Sequence, residues 1–258
     1  MMSNNHGWPA GPDGAGASSG HGYQGAPMAL DIAVLQSLYG ANNSHNSGDD
    51  IYVLPSANEA GTFYSSIWDT GGTDTIMYTG SDAAVIDLRT ASLDYIEGGG
   101  GYVSYVEGVQ GGFTIADGVW IDRAVGGRGN DTITGNILDN WIEGHGGDDI
   151  ILGGDGWDTI IGGYGDDTVT GGDGQDYFVF VKGHNTLTIT DYNPQTGLIG
   201  FSDHIVLAGF GDNLTTASDL LPFVSQVGSD VVISGNGQTI VIEDTSLYNL
   251  TADDVIFV

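Results

Sequence analysis

From Gly126 to Val179 the chain reads GGRGNDTIT GNILDNWIE GHGGDDIIL GGDGWDTII GGYGDDTVT GGDGQDYFV, six blocks of nine residues without a gap. Position one of every block is glycine. Position six is Asp131, Asn140, Asp149, Asp158, Asp167 and Asp176, and position eight is Ile133, Ile142, Ile151, Ile160, Val169 and Phe178. Isolated turn-forming Gly-Asp pairs would not hold one phase over six blocks. A Gly-rich hexad takes positive φ readily and curls sharply, exposing backbone carbonyls on its concave side. The three residues that follow make a short strand whose middle side chain points inward. Each nonad is then half a coil, and two make a turn of about 18 residues. Nonads one, three and five stack along one edge and two, four and six along the other. The pattern predicts an all-β fold, a parallel β-roll flanked by β-strands.

Stacked turns lie roughly 4.8 Å apart, so successive position-six carboxylates are close enough to repel. Between Gly126 and Val179 there are ten Asp, one Glu and one Arg, a net of 1 − 11 = −10, and one apolar row is thin reinforcement against that. A hard cation between the carboxylates resolves the conflict. Calcium accepts six to eight oxygens from mixed carbonyl and carboxylate shells, magnesium demands a tighter octahedron and zinc prefers nitrogen or sulfur. This nonapeptide pattern is the one carried by calcium-binding parallel β-helix repeats. We therefore expect several calcium ions, with the six position-six residues as side-chain ligands. Asp148 and Asp166 at position five, Asp155 and Asp173 at position three, and Glu143 read as solvent-facing. Asn140 lacks a carboxylate and Leu138 replaces its position-four glycine, so the sites sharing that turn should be weakest.

Outward from the roll, the chain divides into a loop-like lead-in (1–25), a connecting helix (26–40), a β-rich region (41–125), the roll (126–179) and a C-terminal β cap (180–258). Met28, Ile32, Leu35 and Tyr39, with Pro27 before and Gly40 after, predict one short amphipathic helix over Ala29–Tyr39. Val231–Ser234 turning through Gly235-Asn236-Gly237 into Thr239–Ile242 reads as a hairpin. The whole chain has 258 residues, 45 of them Gly, with 4 Lys+Arg against 34 Asp+Glu and a formal charge of −30. Its 40% hydrophobic content separates it from disordered acidic tails. That charge argues against nucleic acid and against anionic membrane surfaces as partners, and no apolar run is long enough to span a bilayer. Cysteine is absent, so any staple is non-covalent. The N-terminus carries no cleavable signal-peptide pattern.

The helix segment APMALDIAVLQSLYGAN, the GGxGxD blocks and the intervening IWDTGGTDT together resemble the C-terminal part of serralysin-type secreted metalloproteases, over residues 26 to 258. That resemblance implies a calcium-filled β-roll behind a zinc-protease domain, secreted to the extracellular space by an ABC-type exporter. It implies carbonyl ligands at positions two and four of the nonads: Gly127 and Gly129, Gly147, Gly154 and Gly156, Gly163 and Gly165, Gly172 and Gly174. It adds the Trp120 carbonyl with Asp122. A further site would use the Asn46, Gly48 and Asp50 carbonyls with Asp69, Gly71 and Asp74.

The protease of that family needs H-E-x-x-H with a third histidine, and none of His6, His21, His45, His145, His184 or His204 has that context. No catalytic residue and no zinc are expected in this chain. Met2-Ser3-Asn4 falls about where the family's Met-turn would lie, with Asn4 in place of its tyrosine, so the chain begins inside a broken protease or is an independent protein that kept the downstream half. The implied function is calcium-dependent folding, stability and export of a protease. The alternative is a stand-alone, non-enzymatic secreted calcium module with an adhesive role, and a third class is an enzyme with an unrecognised site in 186–258. The last residues, Asp253-Asp254-Val255-Ile256-Phe257-Val258, put acid before an apolar end, as in the family's uncleaved secretion signal. The expected partners are calcium, the exporter and an upstream protease domain, with no nucleic acid and no membrane insertion.

Overall fold

A computed structural model describes residues 21–24, 27–92, 100–194, 202–210 and 214–258. Met2-Ser3-Asn4, His6 and most of the lead-in lie outside the described residues. The chain forms two compact units, 1–127 and 128–258.

The first unit contains β1 (His21–Gln24), α1 (Ala29–Tyr39), β2 (Ile51–Val53), β3 (Thr62–Ile67), β4 (Thr75–Met77), β5 (Ala84–Asp87), β6 (Ser104–Val106), β7 (Gly112–Ile115) and β8 (Arg123–Val125). One sheet runs β1-β3-β7-β6-β5 and a second runs β2-β4-β8. The second is parallel, with Ile51 opposite Thr75 and Thr75 opposite Arg123. Ile76, Ile86, Leu88, Ile115 and Ile121 are buried between the strands, each contributing about 1.5–3 kcal/mol relative to exposure.

Helix α1 ends where expected: Gly40 adopts φ +83° and its N–H donates to the Gln36 carbonyl at 2.8 Å. The expected amphipathic packing is corrected. Ala29 is the helix's one buried residue, while Leu35 is 45% exposed and Leu30, Val34, Leu38 and Tyr39 are more exposed still. Leu30, Ile32, Val34, Leu35 and Leu38 spread over more than half of the helix circumference, so the helix has no single narrow apolar stripe to bury.

The second unit contains β9 (Thr132–Thr134), β10 (Trp141–Gly146), β11 (Ile150–Asp155), β12 (Thr159–Tyr164), β13 (Asp166–Asp173), β14 (Tyr177–Val181), β15 (Thr186–Ile189), β16 (His204–Ala208), α2 (Ala217–Leu220), β17 (Val224–Val227), β18 (Asp230–Gly235), β19 (Gln238–Ile242) and β20 (Val255–Phe257). Its strands lie in two ribbons, β9-β11-β13-β15-β19-β18-β17 and β10-β12-β14-β16-β20. Ile150 faces Thr132 and Thr168, and Trp141 faces Thr159, so the coil is 18 residues long. The position-eight side chains Ile133, Ile142, Ile151, Ile160, Val169 and Phe178 are all fully buried.

Strands β10 to β13 run six to eight residues, longer than the three read from the pattern. They continue into the next hexad, because His145 pairs with Gly163 and Gly154 with Gly172. Beyond the nonads the coil lengthens: Thr168 faces Thr188 and Tyr177 faces His204. Asn236 and Gly237, at φ +55° and +78°, form the two-residue turn of the β18–β19 hairpin. Helix α2 interrupts the expected C-terminal β cap. The Asp219 carboxylate receives the Thr216 N–H at 3.0 Å and its hydroxyl at 2.8 Å.

Candidate metal centre

The position-six residues are buried, from fully covered Asp158 and Asp176 to Asn140 at 3% exposure. They are linked by a ladder that skips one nonad at each step. The Asp131 N–H donates to Asp149 Oδ1 at 2.7 Å, and the Asp149 N–H to Asp167 Oδ1 at 3.0 Å. On the other edge the Asn140 N–H donates to Asp158 Oδ1 at 2.7 Å, and the Asp158 N–H to Asp176 Oδ1 at 2.9 Å.

The second oxygen of each carboxylate is the informative one. Asp149 Oδ2, Asp158 Oδ2 and Asp176 Oδ2 are buried with no hydrogen-bond partner. A buried polar atom left unmatched costs about 1–3 kcal/mol, more when it is charged. Burial pushes the carboxyls up, to about 8 for Asp149, about 7 for Asp158 and Asp176 and about 6 for Asp167. The backbone N–H bonds oppose that rise and neighbouring carboxylates add to it. Three unmatched oxygens among mutually repelling carboxylates fit a hard, oxygen-seeking cation.

The glycines at positions two and four stack closely. Gly163 lies against the His145 carbonyl, Gly165 against that of Gly147, and Gly147 against that of Gly129. On the other edge Gly172 lies against the Gly154 carbonyl and Gly174 against that of Gly156. Gly127, in the first unit, abuts the Gly80 carbonyl and the Tyr78 ring.

In the first unit, Asp50, Asp69 and Asp74 each offer a carboxylate oxygen within 4.8 Å of the others. The Asp50 N–H donates to Asp74 Oδ1 at 2.9 Å and the Asp74 N–H to Asp122 Oδ2 at 2.8 Å. Burial raises the Asp74 carboxyl to about 6. Tyr52 donates to Asp69 Oδ2 at 2.5 Å, and the Gly71 N–H donates to Asp69 Oδ1 at 3.0 Å. The Asn46 carbonyl accepts from Thr70 and the Asp50 carbonyl from Thr75. Gly72 lies against the Gly48 carbonyl, and Trp120 stays partly exposed.

Sequence reasoning missed Asp203 and Asp191. Asp203 is 2% exposed, accepts the Asp176 N–H at 3.0 Å and the Asn193 N–H at 2.7 Å, and is raised by burial to about 6. Asp191 accepts the Gly171 and Gly172 N–H groups, each at 2.8 Å. The lengthened coil takes both out of the nine-residue phase.

Parallel coils with an inward apolar row and a buried carboxylate ladder define an acid-lined β-roll protein. The family model described as peptidase M10 serralysin C terminal matches residues 29–247, and the chain belongs to that family. It is similar to serralysin of Proteus mirabilis, 41% identical over 46% of this chain and 24% of that protein. It is also similar to serralysin C of Dickeya chrysanthemi, 41% identical over 45% and 24%. Metalloprotease AprA of Pseudomonas entomophila is 40% identical over 49% and 26%. These alignments span about a quarter of the curated relatives' length. The extracellular lipase LipA of Serratia marcescens superposes over 83% of this chain and 38% of its own, with a TM-score of 0.45 at 17% identity.

Proposed function

We propose that this chain is the calcium-binding C-terminal region of a serralysin-like metalloprotease, and that calcium controls its folding, stability and export. The observation that carries the reading is the set of three buried, unmatched oxygens of Asp149, Asp158 and Asp176 on a repeating ladder. Asp131 and Asp167 complete the carboxylate rows, with position-two and position-four carbonyls as further oxygens. Asp50, Asp69 and Asp74, with Asp122 beside them, would hold a separate ion. Bound calcium supplies positive charge that cancels the repulsion and occupies the unmatched oxygens. The protein's own part is to fix the carboxylates by backbone N–H bonds and to exclude water with the position-eight row.

An adjoining protease domain is supported by the relatives' names and greater length, and by the exposed apolar surface of α1, which such a domain would cover. Extracellular secretion through an ABC-type exporter belongs to the same reading, with the acidic and then apolar run Asp253–Val258 as the segment the exporter would engage. Among the described residues no helix is long and apolar enough to cross a membrane.

Isothermal titration of the whole chain with calcium and magnesium tests the reading. We expect calcium binding at several sites, with Asp149→Ala and Asp176→Ala each losing one. A wild-type chain that takes up no calcium would overturn it.

A further inference from the structure

The second nonad is built differently from those that follow it. At positions two and four, nonads three to six have positive φ, from +72° at His145 to +141° at Gly174. Asn136 and Leu138 hold those positions in nonad two and are not among the described non-glycine residues with positive φ, which are Asn46, His145, Asn236 and Asp244. Side chains brace this turn. Asn136 Oδ1 accepts the Leu138 N–H at 2.8 Å, and the Asn136 N–H donates to Asn140 Oδ1 at 2.8 Å.

The Asn140 oxygen lies against Gly135, as Asp149, Asp158 and Asp176 Oδ2 lie against Gly144, Gly153 and Gly171. At those three carboxylates the oxygen over the position-one glycine has no hydrogen-bond partner, whereas at Asn140 the same place is filled by an oxygen that already accepts one. Asn140 is also neutral, so its N–H reaches Asp158 Oδ1 at 2.7 Å without setting a second charge beside that carboxylate.

We propose that Asn136 and Asn140 form an amide clasp that replaces a calcium ion, so that nonad two closes its turn without metal. The clasp rests on the reading above for what the other rungs do, but its own hydrogen bonds do not depend on that reading. It departs from the expectation that Asn140 is a ligand of a weak site and makes it a positioning residue, which holds its turn by hydrogen bonds.

The test counts ions on the whole chain by calcium titration and reads melting temperature in saturating calcium. Asn140→Ala should lower the melting temperature and leave the number of bound ions unchanged, whereas Asp149→Ala should remove one. The triple variant Asn136→Gly, Leu138→Gly, Asn140→Asp, which restores the repeat pattern, should bind one ion more than wild type. Loss of an ion in Asn140→Ala, or an unchanged count with tighter binding in the triple variant, would overturn the clasp. If the triple variant does not fold, the Asn140→Ala count decides alone. If wild type binds no calcium, the calcium reading and the clasp's replacement of an ion both fall, whereas loss of an ion in Asn140→Ala overturns the clasp alone.

Discussion

A methyl group placed on Gly171 would collide with Asp176 Oδ2, and the same holds for Gly144 with Asp149 and Gly153 with Asp158. The position-one glycine is therefore a floor on which a buried carboxylate lies. Gly171→Ala should destabilise the calcium-loaded protein by about 1–3 kcal/mol, the usual cost of overpacking, and should raise the calcium midpoint because the displaced atom is a proposed ligand. Thermal melting across a calcium series reads both, and an unshifted midpoint would count against a ligand role for Asp176. His145 is the opposite case, a non-glycine held at φ +72°, where an L residue is disfavoured by about 1–2 kcal/mol. Part of that is returned by the greater freedom glycine has when unfolded. His145→Gly should thus stabilise the fold by about 0.5–1 kcal/mol, seen as a higher melting temperature.

At the scale of elements, the 18-residue coil, the inward position-eight row and the Asn236-Gly237 hairpin were legible because each follows from a local period or a local turn preference. The reason for the position-one glycine was not, since the period marks where a residue recurs without saying what lies on it. Asp203 escaped because Tyr177 pairs with His204 at a longer interval than the nonads use. The exposure of α1 escaped because apolar spacing reports which side chains seek cover but not what covers them. The ladder also carries a pH dependence. Its carboxyls are raised to about 6–8 in the fold from about 3.9 when unfolded. In chelator the fold therefore binds protons that the unfolded chain releases, and that contribution is full below about pH 4 and is lost as pH rises through 6 to 8. In chelator the protein should therefore keep more β signal by circular dichroism at pH 5 than at pH 8.5. Calcium should reverse the order, because it requires the ionised form. A chelated protein that gained stability between pH 5 and pH 8.5 would contradict the ladder.

For the whole molecule, the proposed calcium role predicts folding that is conditional on calcium, given the net −30 charge and the unmatched ladder oxygens. Binding to the native state alone stabilises by RT ln(1 + [Ca²⁺]/Kd), about 1.4 kcal/mol per site for millimolar calcium and a Kd of about 10⁻⁴ M. Three proposed sites, one for each of Asp149, Asp158 and Asp176, would supply about 4 kcal/mol, a large share of what holds an ordinary domain together. At the sub-micromolar calcium of a cytosol the same contribution would nearly vanish, and the proposed reading then expects the C-terminal unit to be expanded and its end accessible to an exporter. Strand β20, Val255–Phe257, pairs with β16 in the fold, so an exporter would engage that segment before calcium arrives. Circular dichroism of the whole chain should show β signal rising cooperatively with calcium and far less with magnesium, and Asp149→Ala with Asp167→Ala should move the midpoint to higher calcium. Deleting Val255–Val258 should stop secretion by a matching ABC exporter and cost the calcium-loaded fold only its edge strand. Full β signal in excess chelator would refute the switch, and normal secretion of the truncated chain would remove the terminal strand from the export signal.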